Sequence, residues 1–220
     1  MKALSKLAMK SMLSNPKLQN FVVPNANEEI LVQPLYHFQA YGTSGATSFS
    51  FFGTTLQSAT SQKADTNMEK ASSMSAGKRM IVTGISVIFI AGVESFLSGT
   101  VARTETYGLD ARKVLEGLGY AEITIMQKPY LTIAPLTYLS AGMGMSGHGA
   151  VSSLSTLVDT IDYVSNGVPH PEAHRKLDIP LFLPSEVAFD VTIYFKSAIT
   201  ITTAGRLGVM LHGLQIRPRQ

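Results

Sequence analysis

Between positions 186 and 196 apolar and polar residues alternate strictly. Val187, Phe189, Val191, Ile193 and Phe195 fall on one side, and Ala188, Asp190, Thr192, Tyr194 and Lys196 on the other. A period of two predicts a half-buried β-strand. Leu207, Val209 and Leu211 keep the same period near the C-terminus, but after Gly213 the apolar positions move to Leu214 and Ile216. A change of phase at a glycine predicts a β-bulge or tight bend in that strand. Residues 80–90 follow neither pattern. Ile81, Ile85, Val87 and Phe89 share one face around Thr83, while Val82, Ile88 and Ile90 make the other face apolar as well. A strand apolar on both sides belongs at the centre of a sheet. It is too short to cross a bilayer, which takes about 20 residues as a helix.

The rest of the chain supplies shorter strands. Extended segments are expected at 21–23 and 30–38, where Pro24 and Pro34 place them at an edge or a bulge, since proline cannot donate to a central ladder. A further strand at 48–52 is bounded by the glycine-rich stretch 41–46 and by Gly53. Strands follow near 121–127, 130–139 and 179–183. The polar tract 54–79 is rich in Ser, Thr and Ala, has little to bury, and reads as a long loop or extended arm contacting a neighbour. Two helices are expected. Asp110 caps the first, with Val114, Leu115 and Leu118 as its apolar stripe and Gly117 with Gly119 as its stop. Ser152 or Ser153 caps the second, in which Leu154, Leu157, Val158, Ile161 and Val164 recur at helical spacing before Asn166-Gly167. About ten strands without regular strand–helix alternation point to an antiparallel β-sandwich or barrel and away from a doubly wound fold.

Composition adds a reason to expect assembly. The 220 residues are 45% hydrophobic and 15% charged, against about 25% charged in an average soluble domain. Such a surface is expected to be covered by copies of itself. There is no cysteine, so disulfide scaffolds and thiolate metal sites are excluded. The net charge of +3 is concentrated at one end. Lys2, Lys6, Lys10 and Lys17 precede the first acid, Glu28, and the other fourteen bases face fifteen acids. Within this arm the first three lysines recur every four residues, opposite Leu4, Leu7, Ala8 and Met12 in helical projection. A short cationic amphipathic helix suits nucleic-acid phosphates or an anionic membrane surface. It also suits a solvated terminus packed on a neighbour.

Motifs for chemistry are sparse. Gly142-Met143-Gly144-Met145-Ser146-Gly147 matches GxGxxG. A dinucleotide site, however, needs its helix to start inside the motif and an acid at the end of the next strand. Here the helix is expected to start at Ser152, with Asp159 and Asp162 inside it, so the segment reads as a flexible loop at a subunit contact. His170-Pro171-Glu172-Ala173-His174 carries two imidazoles and a carboxylate, but Pro171 opposes the helix on which a zinc protease presents its histidines. No serine sits in a Gly-x-Ser-x-Gly elbow, and no histidine spacing implies a triad. An enzyme, and with it any cofactor, is not expected.

Four stretches resemble a known family. Ser50-Phe51-Phe52-Gly53, then Asp65-Thr66-Asn67-Met68, then Lys78-Arg79-Met80-Ile81-Val82-Thr83-Gly84-Ile85 are similar to the early strands and intervening loop of jelly-roll capsid proteins of small tailless icosahedral bacteriophages. Residues 209–218, Val-Met-Leu-His-Gly-Leu-Gln-Ile-Arg-Pro, are similar to their last strand. The resemblance implies a mainly β, jelly-roll-like domain over 18–220 behind a basic arm over 1–17. A double jelly roll would need a longer chain. It also implies a virion shell subunit, assembled in the host cytoplasm, whose partners are itself, other virion proteins, and a genome or internal membrane met through the arm. The contact residues would be Lys2, Lys6, Lys10, Lys17, Leu4, Leu7 and Met12. A β-sandwich recognition module, such as a glycan- or receptor-binding spike head, is the alternative; aromatic residues exposed at loop tips would mark it.

Overall fold

The computed structural model describes residues 24–53, 65–90, 107–139, 175–202 and 204–219. The basic arm, the 21–23 segment, the first part of the polar tract, the 142–147 glycine motif, the 152–164 helix and the 170–174 histidine pair lie outside them.

Among the described residues the chain forms β1 (Glu28–Leu31), β2 (Leu35–Tyr41), β3 (Ser48–Phe51), β4 (Arg79–Ile90), helix α1 (Tyr107–Glu116), β5 (Gly119–Ile125), β6 (Lys128–Ile133), a 3-10 turn (Leu136–Tyr138), β7 (Arg175–Leu183), β8 (Phe189–Phe195) and β9 (Gly205–Pro218). The strands make two antiparallel sheets packed as a β-sandwich. Sheet A runs β1-β9-β4-β7, and β2 also pairs with β9; sheet B runs β3-β8-β5-β6. β9 is the spine of sheet A. β4 pairs with it from Arg79 to Ile90, while its other side takes β2 at 205–211 and β1 at 215–218. Four of the pairings are nested: β2 with β9, β3 with β8, β4 with β7 and β5 with β6. Successive nested pairs fall in alternate sheets, as one long hairpin does when rolled up.

The facing sides of the sheets are apolar because their strands alternate. Phe189, Val191, Ile193 and Phe195 of β8 are buried, and Asp190, Thr192 and Tyr194 point the other way. Against them lie Ile85, Val87 and Phe89 of β4 and Leu207, Val209 and Leu211 of β9. Each such side chain, fully buried, contributes about 1.5–3 kcal/mol. Tyr41 fixes one end of this layer. Its ring stacks on Phe49 at 4.9 Å and meets Phe89 edge-on at 5.4 Å, and its hydroxyl donates to the Ile199 carbonyl at 2.8 Å.

β4 is central, between β9 and β7, and apolar on both faces as expected, but Ile81 and Val82 take the opposite faces from those expected: Val82 joins Ile85, Val87 and Phe89 in the main core and Ile81 lies on the outer side, because the register shifts at Thr83. The phase change at Gly213 has a different origin from the bulge expected in β9. β9 runs through without a break, and the extra residue is Thr83 of the facing strand, between the pairs Val82–Gly213 and Gly84–His212. Leu214 and Ile216 are apolar because the outer side of sheet A carries its own small cluster of Ile81, Ile216 and Phe182. Gly213 is required by close approach: a Cβ there would stand 1.9 Å from the Ile81 carbonyl oxygen.

Other boundaries shift for local reasons. The 30–38 segment is two strands with Pro34 in the gap, both laid along one side of β9. The strand expected over 130–139 ends at Ile133, and the 3-10 turn that follows sinks Leu136 and Leu139 into the core. Helix α1 begins at Tyr107, so Asp110 does not cap it. That carboxylate is buried, accepts from the Thr202 backbone N–H at 2.8 Å, and ties the helix to the β8–β9 connection. The buried stripe is Ala111, Val114 and Leu115; Leu118 is 72% exposed.

Where it is described, the polar tract is a loop between β3 and β4, as expected, but it has more to bury than its composition implies. Residues 65–78 lie on their own sandwich and bury Met68 and Met74 in the main core. Thr66 bridges His37 of β2, and the Phe38 N–H donates to the Asp65 carbonyl at 2.7 Å. The segment thereby covers the edge of β2, and Arg206 of β9 closes on the Asp65 carboxylate.

Candidate functional site

Two broad surfaces follow from the register, because directly paired residues on neighbouring strands share a face. On the outer side of sheet B, β3 contributes Ser48 and Ser50, β8 contributes Asp190, Thr192 and Tyr194, β5 contributes Tyr120, Glu122 and Thr124, and β6 contributes Thr132. Tyr120 and Tyr194 are paired across the ladder, and their rings stack at 4.9 Å with 23° between planes. Asp190 accepts from the Thr192 hydroxyl at 2.9 Å. Among these nine side chains two are acidic and none is basic. The face is polar, half-exposed and built on rigid strands, with a small aromatic platform at one end. Beside it Tyr130, the extra residue of β6 between the pairs Ile123–Leu131 and Thr124–Pro129, is 56% exposed. This surface is suited to contact and hydrogen bonding.

Several edges of the sheets are individually blunted. β6 carries Pro129 and the Tyr130 bulge, and β7 carries Pro180 within an excursion opposite Thr83. β2 is covered by the 65–78 segment, and the Gln39 side-chain amide donates to the Ser50 carbonyl of β3. Association by adding a strand is therefore opposed at these edges, which favours faces and loop ends for contact. At one loop end an open cleft of about 570 Å³ lies between the end of α1 and the β8–β9 connection, lined by Lys113, Glu116, Leu118, Lys196 and Ile199. Lys113 leans toward Asp110 at 3.5 Å.

Strand pairing also creates one juxtaposition that spacing could not reveal. Ser86 Oγ lies 2.8 Å from His212 Nε2 on the neighbouring strand. Ser86 is 4% exposed, so the contact reads as a buried polar pair satisfied within the sheet. His37, expected only to lie in a strand, is buried at the junction of β2, β3 and the 65–78 segment. Its Nδ1 accepts from the Phe52 backbone N–H at 2.8 Å, which fixes that nitrogen as unprotonated.

The residues that the sequence singled out for contact, Lys2, Lys6, Lys10, Lys17, Leu4, Leu7 and Met12, lie outside the described residues. Among the described residues no three His, Asp or Glu side chains converge to hold a metal ion, and no helix is long and apolar enough to cross a membrane. Comparison with known protein families, curated proteins and solved structures returns no match.

Proposed function

We propose that this chain is a jelly-roll capsid subunit that self-associates into an icosahedral virion shell. The observation that carries the reading is the nested order of strand pairs, β2–β9, β3–β8, β4–β7 and β5–β6, split between two sheets. Pairs nested in this way and shared between two sheets support a jelly roll, an architecture used by viral capsid domains and also by lectins and cupins. The low charge content and the resemblance to tailless-phage capsid proteins favour the first of these. β1 is then an addition that widens sheet A. Subunits meet through faces and loop ends, since several strand edges are blunted. The arm, with Lys2, Lys6, Lys10 and Lys17, faces inward to the genome or an internal membrane, alongside other virion proteins.

Light scattering and electron microscopy of the purified full-length chain test the assembly. A stable monomer at micromolar concentration and physiological salt overturns it. For the arm, neutralising the four lysines lowers the salt slope of nucleic-acid binding by roughly 3 to 4. Replacing Leu4 and Leu7 by Ser abolishes binding to anionic vesicles only if the partner is a membrane.

A recognition module remains the second reading, favoured by the Tyr120–Tyr194 platform and by Tyr130 and Tyr138, which are exposed. Glycan-array binding that is lost in Tyr120→Ala, by a protein that does not assemble, would replace the first reading with this one.

A further inference from the structure

The connection between β3 and β4 is held at a single turn. Phe52 adopts a left-handed backbone (φ 67°), and its N–H donates to His37 Nδ1. Its carbonyl accepts from the Ser72 N–H at 2.6 Å, and the next carbonyl, of Gly53, accepts from the Ser72 hydroxyl at 2.8 Å. Ser72 in turn accepts from the Phe189 N–H at 2.8 Å, where β8 begins. The start of the 65–78 segment and its middle thus converge on His37, one through the Thr66 bridge and the other through Phe52 and Ser72, while the part beyond is held by Ser73 against Ala188 and by Met74 against Ser185 and Glu186. The rings of Phe51 and Phe52 stand edge-on to the imidazole, each with centroids 5.8 Å away.

We infer that His37 is an acid-released latch. Neutral, it holds the Phe52 turn and with it the 65–78 segment; protonated on Nδ1, it turns a donor toward a donor and lets the segment lift from β2 and β8. A buried N–H left without an acceptor is costly, and an imidazolium packed against two phenyl rings has lost its water. Burial accordingly pushes the His37 pKa from 6.5 down to about 4. The sign follows from linkage. The closed state resists the proton and the open state takes it up near 6.5, so the closed state loses ground as pH falls from 6.5 and the loss is complete below 4. Other titratable or charged groups on the surrounding elements are Asp65 with its partner Arg206, Glu69 with its partner Lys78, Lys70, Asp190 of β8 beside Gly53, and Tyr36 and Tyr41 of β2. The Lys78 hydrogen bond holds the Glu69 carboxyl below its usual range. What is released is chemically distinct from what covers it: Met68 and Met74 leave the core and the edge of β2 opens.

Hydrogen exchange of the full-length protein, corrected for the intrinsic effect of pH, reads the latch amide by amide. Opening at Phe52, Phe38, Ser72 and Phe189 should rise about 20-fold between pH 7 and pH 5 and level off near 240-fold below pH 4. The amides at the middle of β8, Val191 and Ile193, should stay protected beyond these. His37→Gln keeps an acceptor that does not titrate and should flatten the rise. A rise of the same size in His37→Gln overturns the inference, as does opening of the β8 amides in step with Phe52. Should that variant fail to fold, the imidazole resonance of the native chain decides: titration near 4 supports the latch, and titration near 6.5 in the folded protein overturns it.

Discussion

β4 and β8 each lie inside a sheet between two partners, yet they dispose of their outward sides differently. β8 alternates, with Asp190, Thr192 and Tyr194 half-buried on the outside. β4 has Ser86 and Ile88 buried at positions facing away from the main core, and Ile81 packed there with Ile216 and Phe182. Further along that side Ile88 pairs with Gly208, which the Phe38 ring covers so closely that a Cβ would stand 2.2 Å from it. Sheet B thus presents a hydrogen-bonding face, whereas the outward side of sheet A is mainly apolar, with the Ser86–His212 pair set into it. Sandwiches commonly keep one solvated face per sheet; among the described residues sheet B does so, while the outward residues of β4 in sheet A are buried.

The sharpest way to break the comparison is at the spine of sheet A. Gly213→Ala puts a methyl against the Ile81 backbone, which has no rotamer with which to yield, and a loss of about 3 kcal/mol or more is expected in chemical denaturation. A loss under about 1 kcal/mol would mean that the Thr83 bulge slides to make room, and that register in this sheet is soft. Next come the outward positions of the two central strands. Ile88→Ala should cost about 2–4 kcal/mol, because its side chain is 5% exposed and leaves a cavity. Thr192→Ala, facing out from β8, should stay within about 0.5 kcal/mol. Equal costs would erase the distinction between the sheets.

A smaller effect belongs to the tyrosine platform. A double-mutant cycle on Tyr120 and Tyr194, read by denaturation, should give a coupling of about 0.5–1.5 kcal/mol. The smallest concerns the rim of sheet A, where Arg79 grips both oxygens of Glu28 at 2.5 and 2.9 Å and Arg217 meets Glu29 at 2.6 Å. The Arg79 hydrogen bonds, with help from the Asn25 N–H, hold the Glu28 carboxyl below its usual 4.5. Its contribution is therefore present above pH 4.5 and is lost as pH falls through that depressed value. Glu28→Gln should remove that part of the acid sensitivity and leave stability at pH 7 changed by well under about 1 kcal/mol.

Periodicity made much of this legible. The alternation of β8 and the two apolar sides of β4 could be read directly, since each needs only neighbours along the strand. What failed was whatever depends on a partner across the sheet. Gly213 sat at the predicted irregularity, but the extra residue was in the opposite strand, which a single strand's pattern cannot locate. Met68 and Met74 looked stranded in a polar tract because their burial comes from β2 and β8, not from each other. Asp110 had the right residue type for a cap and instead serves a loop 92 positions away. His37 carried no spacing signal, since its partners are a backbone N–H and two phenyl rings from another strand. For the arm, pattern alone gives charge and amphipathicity.

The position of β9 also dictates an order of events during synthesis. It is the last of the described strands, and it lies between β4 on one side and β1 with β2 on the other; Arg217 and Glu29, which clamp its rim, are 188 positions apart. Sheet A cannot close before β9 has emerged, because contacts of such long range must wait for both partners. Until residues 205–218 clear the ribosome, β4 stands with one long edge unpaired and both sides apolar, the state most prone to stick to another nascent chain. A chain ended before Gly205 should collect in the insoluble fraction, whereas loss of the four-residue β1 should leave a soluble fold.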